Sequence, residues 1–137
     1  MSIVNRYNTT ELFYNLNDSV AELNGLENEI VQTNIYDDNE LRHLIRQLII
    51  PQYRKFNKES KKKILLSLRY CILKLTNEEL FKTYDSILPL LYIPIEYDIR
   101  HFFELTFNEL GESLEISDDE ISHMQDVADN TEALSMM

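Results

Sequence analysis

Ser60-Lys-Lys-Lys-Ile-Leu-Leu-Ser-Leu-Arg-Tyr-Cys-Ile-Leu-Lys-Leu-Thr76 is the most apolar helical stretch of the chain. At about 3.6 residues per turn, Ile64, Leu65, Leu68, Cys71, Ile72 and Leu75 share one broad face, while Leu66 and Leu73 lie on a second side. Lys63, Ser67, Tyr70 and Lys74 remain as the stripe that faces water. A helix that is apolar on two sides must be covered on two sides. This segment is therefore the expected hub on which the other helices pack.

Helical spacing of three and four recurs on both sides of the hub, and strand-like alternation is absent. Thr9 or Thr10 can cap a first helix whose stripe is Leu12, Phe13, Leu16, Val20 and Leu23, with Asn24-Gly25 as its stop. A short second helix runs from Leu26 to Ile35 through Leu26, Ile30 and Val31. Asp37-Asp38-Asn39 opens a third, with acids in the favourable first turn. Its apolar positions Leu41, Leu44, Ile45, Leu48, Ile49, Tyr53 and Phe56 continue through Pro51, which predicts a kink or a break there.

Beyond the hub, Thr76-Asn-Glu-Glu79 is a capping box, followed by Leu80, Phe81, Tyr84, Ile87 and Leu88 facing inward. Leu90-Leu91-Tyr92-Ile93, bracketed by Pro89 and Pro94, reads as a buried turn. Pro94 suits the start of a helix with Ile95, Ile99, Phe102, Phe103, Phe107 and Leu110 on its core face, ended by Gly111. A second capping box, Ser117-Asp-Asp-Glu120, opens a last helix through Ile121, Met124, Val127 and Ala128.

The reading is an all-α fold: a single-domain helical bundle, or a short solenoid-like array of helical hairpins, of about six to seven helices. The 137 residues fit one domain, 1–137, with residues 1–8 and about 130–137 expected to be flexible. An array is suggested by one internal echo. Asn39-Glu40 stands twelve residues before Pro51, Asn77-Glu78 stands twelve before Pro89, and the two are offset by 38.

No apolar run reaches the length of a membrane span, and the N-terminus lacks a signal-type apolar core, so a cytoplasmic location is expected. The single cysteine, Cys71, rules out an internal disulfide and reads as a small buried hydrophobe. The net charge is −11 and uneven. Residues 51–75 hold 8 bases and 1 acid, whereas residues 76–137 hold 15 acids and 2 bases. That balance argues against direct nucleic-acid or membrane binding, which needs a basic face.

Each of the three histidines follows an acid by three: Glu40/His43, Asp98/His101 and Glu120/His123. Di-iron bundles use such pairs, but they project them inward. Here each histidine falls opposite its helix's apolar face, so surface contacts and no metal are expected. The two glycines stand 86 positions apart, which leaves no phosphate-cradling loop. A Gly-x-Ser-x-Gly elbow is absent as well. Neither an enzyme nor a cofactor is proposed by these residues.

Two charged stretches remain. The basic run Arg54 to Lys63 puts three lysines at the hub's N-terminus, against the helix dipole. It reads as a phosphate-binding patch or as a loop neutralised by the fold's own acids. The second stretch is acidic: nine acids lie between Glu109 and Glu132 with no lysine or arginine. Its expected binding residues are Glu112, Glu115, Asp118, Asp119, Glu120 and Asp126, forming an acidic face for a basic protein.

In size, acidity and helical character the whole chain resembles the immunity proteins of bacterial toxin systems, such as those of contact-dependent growth inhibition. The resemblance implies tight one-to-one binding of a cognate, basic, nuclease-type toxin domain. Three alanines beside fourteen isoleucines and twelve asparagines suggest AT-rich coding, which suits such gene islands and phages alike. The alternatives are a phage or viral accessory protein that binds a host factor through its acidic surface, and a helical-repeat adaptor.

Overall fold

The hub forms as read. In the computed structural model of the protein, which describes residues 3–128, helix α5 spans Lys58–Lys74, with the Asn57 side chain accepting the Ser60 N–H at its start. Ile64, Leu68 and Cys71 are fully buried. The end of α5 is closed from another element. The Arg100 guanidinium donates to the carbonyls of Ile72 and Leu75, the latter at 2.6 Å, which satisfies groups that a helix C-terminus leaves orphaned.

Before α5 come β1 (Ile3–Val4), a 3-10 helix (Arg6–Leu16), α1 (Asp18–Leu23), α2 (Glu27–Val31), α3 (Asp38–Leu44), a π-helical turn (Ile45–Ile49) and α4 (Ile50–Arg54). After it come α6 (Asn77–Asp85), α7 (Ile99–Leu110), α8 (Asp118–Ser122) and β2 (Gln125–Asp126). The fold is thus mostly helical. Its strands are two residues each, and they pair in parallel, Ile3 with Gln125 and Val4 with Asp126. No helix among the described residues is long and apolar enough to cross a membrane.

Several expectations give way to tertiary packing. Ser67 and Tyr70 were read as water-facing, yet Ser67 is fully buried and Tyr70 is 9% exposed. The 3-10 helix packs on α5 and bonds Ser67 through Thr9, while Lys63 and Lys74 of that stripe stay exposed. The same packing takes in part of the stretch 1–8 that was expected to be loose. Val4, Asn5 and Asn8 are buried, and the 3-10 helix begins at Arg6 with Asn5 as its cap. The expected tail from about residue 130 lies outside the described residues.

Around Pro51 the expected helix is divided into α3, the π-helical turn and α4. A proline ring clashes with the carbonyl four residues back and offers no N–H. Here the ladder widens first: the Ile50 N–H reaches the Ile45 carbonyl, five residues back, and the helix resumes as α4. Pro89, the echo's second proline, sits instead in an isolated bridge opposite Asn17.

The Thr76–Glu79 capping box is complete and starts α6. Leu88, expected inward, is 73% exposed. The turn after it is buried only at alternate positions, since Leu91 and Ile93 point in while Tyr92 is 76% exposed. Pro94 does not start α7 either. It begins a separate turn, closed by the Tyr97 N–H on the Pro94 carbonyl, and Asp98 caps the helix. Gly111 then ends α7 at φ 65°, in the left-handed region that glycine tolerates.

Candidate binding surface

The loop between Gly111 and α8 is seated by its apolar residues. Ile121 is fully buried, and Leu114, Ile116 and Met124 pack against the core at its margin. Ser117 accepts the Glu120 N–H and so caps α8, whose first turn carries Asp118, Asp119 and Glu120. Three acidic residues thus occupy the first turn of a short helix, a position where negative charge is favourable to the helix.

The acids of this stretch separate into two groups. Glu109 is bound by Arg46 through two bonds of 2.8 and 3.0 Å and approached by Arg42 at 3.6 Å. Asp118 is bound by Arg69 through two bonds of 3.0 and 2.8 Å. These hydrogen bonds hold the Asp118 carboxyl below its ordinary range. Arg69 also lies over the Phe107 ring at 5.1 Å, which fixes α8 against α5 and α7.

Asp126 is structural too. Its side chain is 6% exposed. It accepts from the Arg6 guanidinium and from the Arg6 backbone N–H at 3.2 Å, while Arg6 also reaches Glu79 at 3.2 Å. Of the six acids expected to bind a partner, Asp126 therefore tethers β2 to the start of the chain. Asp118 fastens α8.

Glu112, Glu115 and Glu120 are exposed and form no ion pair among the described residues. Asp119 approaches only His123, at 3.8 Å, and its side chain is 89% exposed. Glu112 and Glu115 form one wall of a groove of about 370 Å³. The opposite wall is Lys58, Lys61 and Lys62, and the floor includes Leu65, Leu66 and Ile116. Ile116 also borders the hollow beside Glu120 and His123, so Glu112, Glu115 and Glu120 flank two adjoining hollows and make up an acidic ridge with the exposed Asp119.

The basic run accordingly faces the fold's own acids across a groove. Lys61 additionally sits 5.8 Å from the centre of the Tyr53 ring. Burial, with Glu112 adding to it, pushes the Tyr53 hydroxyl up to about 12. Arg69 and Arg46 are the partners that residue counting missed. Each lies far in sequence from the acid it binds, so no local spacing announces the pair.

The histidines do not pair with the acids three residues before them. His101 Nε2 lies 2.9 Å from Asp38, and His123 Nδ1 lies 2.7 Å from the Asp119 carbonyl. Asp98 and Glu40 instead accept backbone N–H groups. Among the described residues no three His, Cys, Asp or Glu side chains come together as metal ligands. Cys71 is buried and its thiol is pushed up to about 12 by that burial, which keeps it un-ionised. No family model, no curated protein and no solved structure matches the chain.

Proposed function

We propose that the protein is a non-catalytic binding protein of the immunity type, which neutralises a basic, nuclease-type toxin domain in the cytoplasm by tight one-to-one association. The observation that carries this reading is the ridge. Glu112, Glu115, Asp119 and Glu120 are exposed carboxylates without an arginine or lysine partner among the described residues. They are held on a loop and helix that Asp118–Arg69 and Ile121 anchor. Such a rigid acidic surface raises the encounter rate with a cationic domain and needs no rearrangement to receive it. Helices packed on several sides of α5 favour a bundle over a solenoid array as the scaffold.

The experiment is genetic and biochemical. A large exported toxin encoded immediately upstream is the neighbour this reading expects, and its toxic domain should lose activity at equal stoichiometry with this protein. Phage structural genes in that place would favour the accessory-protein alternative. A toxic domain left active by saturating protein would end the immunity reading.

A further inference from the structure

The segment that follows α6 exposes apolar side chains instead of burying them. Leu88, Tyr92 and Ile95 are 73%, 76% and 85% exposed. Leu88 also holds φ 54°, a left-handed conformation that a branched side chain adopts only at a cost. Asparagine or glycine would relieve that strain and remove an exposed leucine at once. A position that is costly both in backbone and in solvation calls for a use.

The segment is held in place. The Asp18 N–H donates to the Leu88 carbonyl at 3.1 Å, and the Leu90 N–H to the Leu16 carbonyl at 2.7 Å. Asn17 Nδ2 donates to the Ile87 carbonyl at 2.7 Å, and the buried Tyr84 hydroxyl to the Leu91 carbonyl at 2.7 Å. These bonds fix the backbone from Ile87 to Leu91, from which Leu88 and then Tyr92 project their side chains into solvent. Leu88, Tyr92 and their neighbours line a groove of about 530 Å³, together with Asp18 and Asp85. Neither carboxylate has an ion-pair partner among the described residues. Both carboxylates are exposed, so they are open to a cation placed beside the groove.

We propose that this groove docks a basic amphipathic helix of a partner protein, with its apolar stripe on Leu88 and Tyr92 and its lysines or arginines on Asp18 and Asp85. Apolar side chains displayed along a groove, with carboxylates beside them, suit helix-in-groove recognition. Charge selects against a second copy of this chain as the occupant. Two copies would bring Asp18 and Asp85 toward a molecule of net charge −11. None of the groove's residues belongs to the ridge of Glu112 to Glu120, so this site stands or falls separately from the function proposed above.

The test uses the full chain and a fluorescent synthetic helix of about 18 residues, with leucine at helical spacing and lysine elsewhere. A scrambled peptide of the same composition is the comparison. The ordered peptide should bind saturably at one per chain. Affinity should fall about tenfold or more in Leu88→Asn, in Tyr92→Ser and in the Asp18→Asn, Asp85→Asn pair. It should fall by much less than in the groove variants when Glu112, Glu115 and Glu120 become glutamine. Leu88→Asn should also melt no lower than the native chain, because asparagine accepts the left-handed conformation, so its lost binding is not lost folding. The proposal is overturned if the native chain does not bind the ordered peptide, if the scrambled peptide binds equally well, or if the groove variants bind like the native chain. It is equally overturned if sedimentation shows a dimer that Tyr92→Ser dissolves, since the occupant is then a second copy.

Discussion

The Ser67 hydroxyl of α5 stands 2.6 Å from the Thr9 hydroxyl and 3.1 Å from the Thr9 N–H, while donating to the Asn5 carbonyl at 2.7 Å. In an α-helix the Thr9 N–H and the Asn5 carbonyl would bond to each other. Ser67 is inserted between them and bonds both. The Asn5 carbonyl then also takes the Asn8 N–H at 3.0 Å, three residues on, and the segment starts as a 3-10 helix. A side chain of the hub thus sets the helix type of the element that covers it.

Ser67→Ala should therefore cost about 1–3 kcal/mol, because it leaves the buried Thr9 N–H without its acceptor and removes one of the donors to the Asn5 carbonyl. Denaturant unfolding measures the loss. A change within a few tenths would show that the segment simply relaxes to an α-helix and recovers the bond.

Leu68 carries the hub's apolar contribution and is fully buried. Leu68→Ala should cost about 2–5 kcal/mol, from lost transfer energy plus the cavity left behind. A midpoint shift equivalent to less than about 1 kcal/mol would mean that α5 is peripheral to the core.

Gln52 is 1% exposed, and neither its side-chain nitrogen nor its oxygen finds a partner among the described residues. It sits in α4 just past the π-helical turn, where α-helical spacing drawn through Pro51 misjudges which way side chains point. Gln52→Leu, similar in size and without polar atoms, should raise stability by about 1 kcal/mol or more. A loss of stability would indicate bonds to ordered water.

The pH response has opposing contributions. The Arg69 bonds lower the Asp118 carboxyl. An acid depressed in the folded state contributes stability above its ordinary range, and that contribution is lost as pH falls through the folded value. Burial raises Glu11, so its contribution is present below the ordinary range and is lost as pH rises through the folded value. Asp118→Asn should thus flatten the loss of stability on acidification, whereas Glu11→Gln should steepen it and raise stability at neutral pH. Urea midpoints from neutral to about pH 3 distinguish the two, and equal effects of one sign would contradict the assignment.

What was legible in the sequence was local. The face of α5, the Thr76–Glu79 box and the Gly111 stop each depend on residues within a turn or two of one another. The 3-10 start at Arg6 was not legible, because it is imposed by Ser67 from 58 or more positions away. The exposure of Leu88 and Tyr92 was hidden by their apolarity, since a hydrophobic run bounded by prolines reads as core. In the binding surface, nine acids in sequence looked like one face. Arg46, Arg69 and Arg6 withdraw Glu109, Asp118 and Asp126 from it, and only packing brings those arginines near.

That division decides which substitutions test the ridge. Changing Asp118 or Asp126 would disturb α8 or β2 as well as the surface charge, so a loss of binding would be ambiguous. Glu112→Gln, Glu115→Gln, Asp119→Asn and Glu120→Gln remove four negative charges without breaking an arginine pair. Against a basic toxin domain of the kind proposed, the association rate of this fourfold variant should fall by about tenfold or more at low salt, and its dependence on ionic strength should become shallower. Dissociation should change less, because exposed charges act mainly on encounter while packed anchors govern residence. Stopped-flow association across a salt series, with circular dichroism to show an intact fold, makes the measurement. An unchanged rate and an unchanged salt slope would reduce the ridge to a solvated surface, and the lysine wall of the neighbouring groove would become the next surface to substitute.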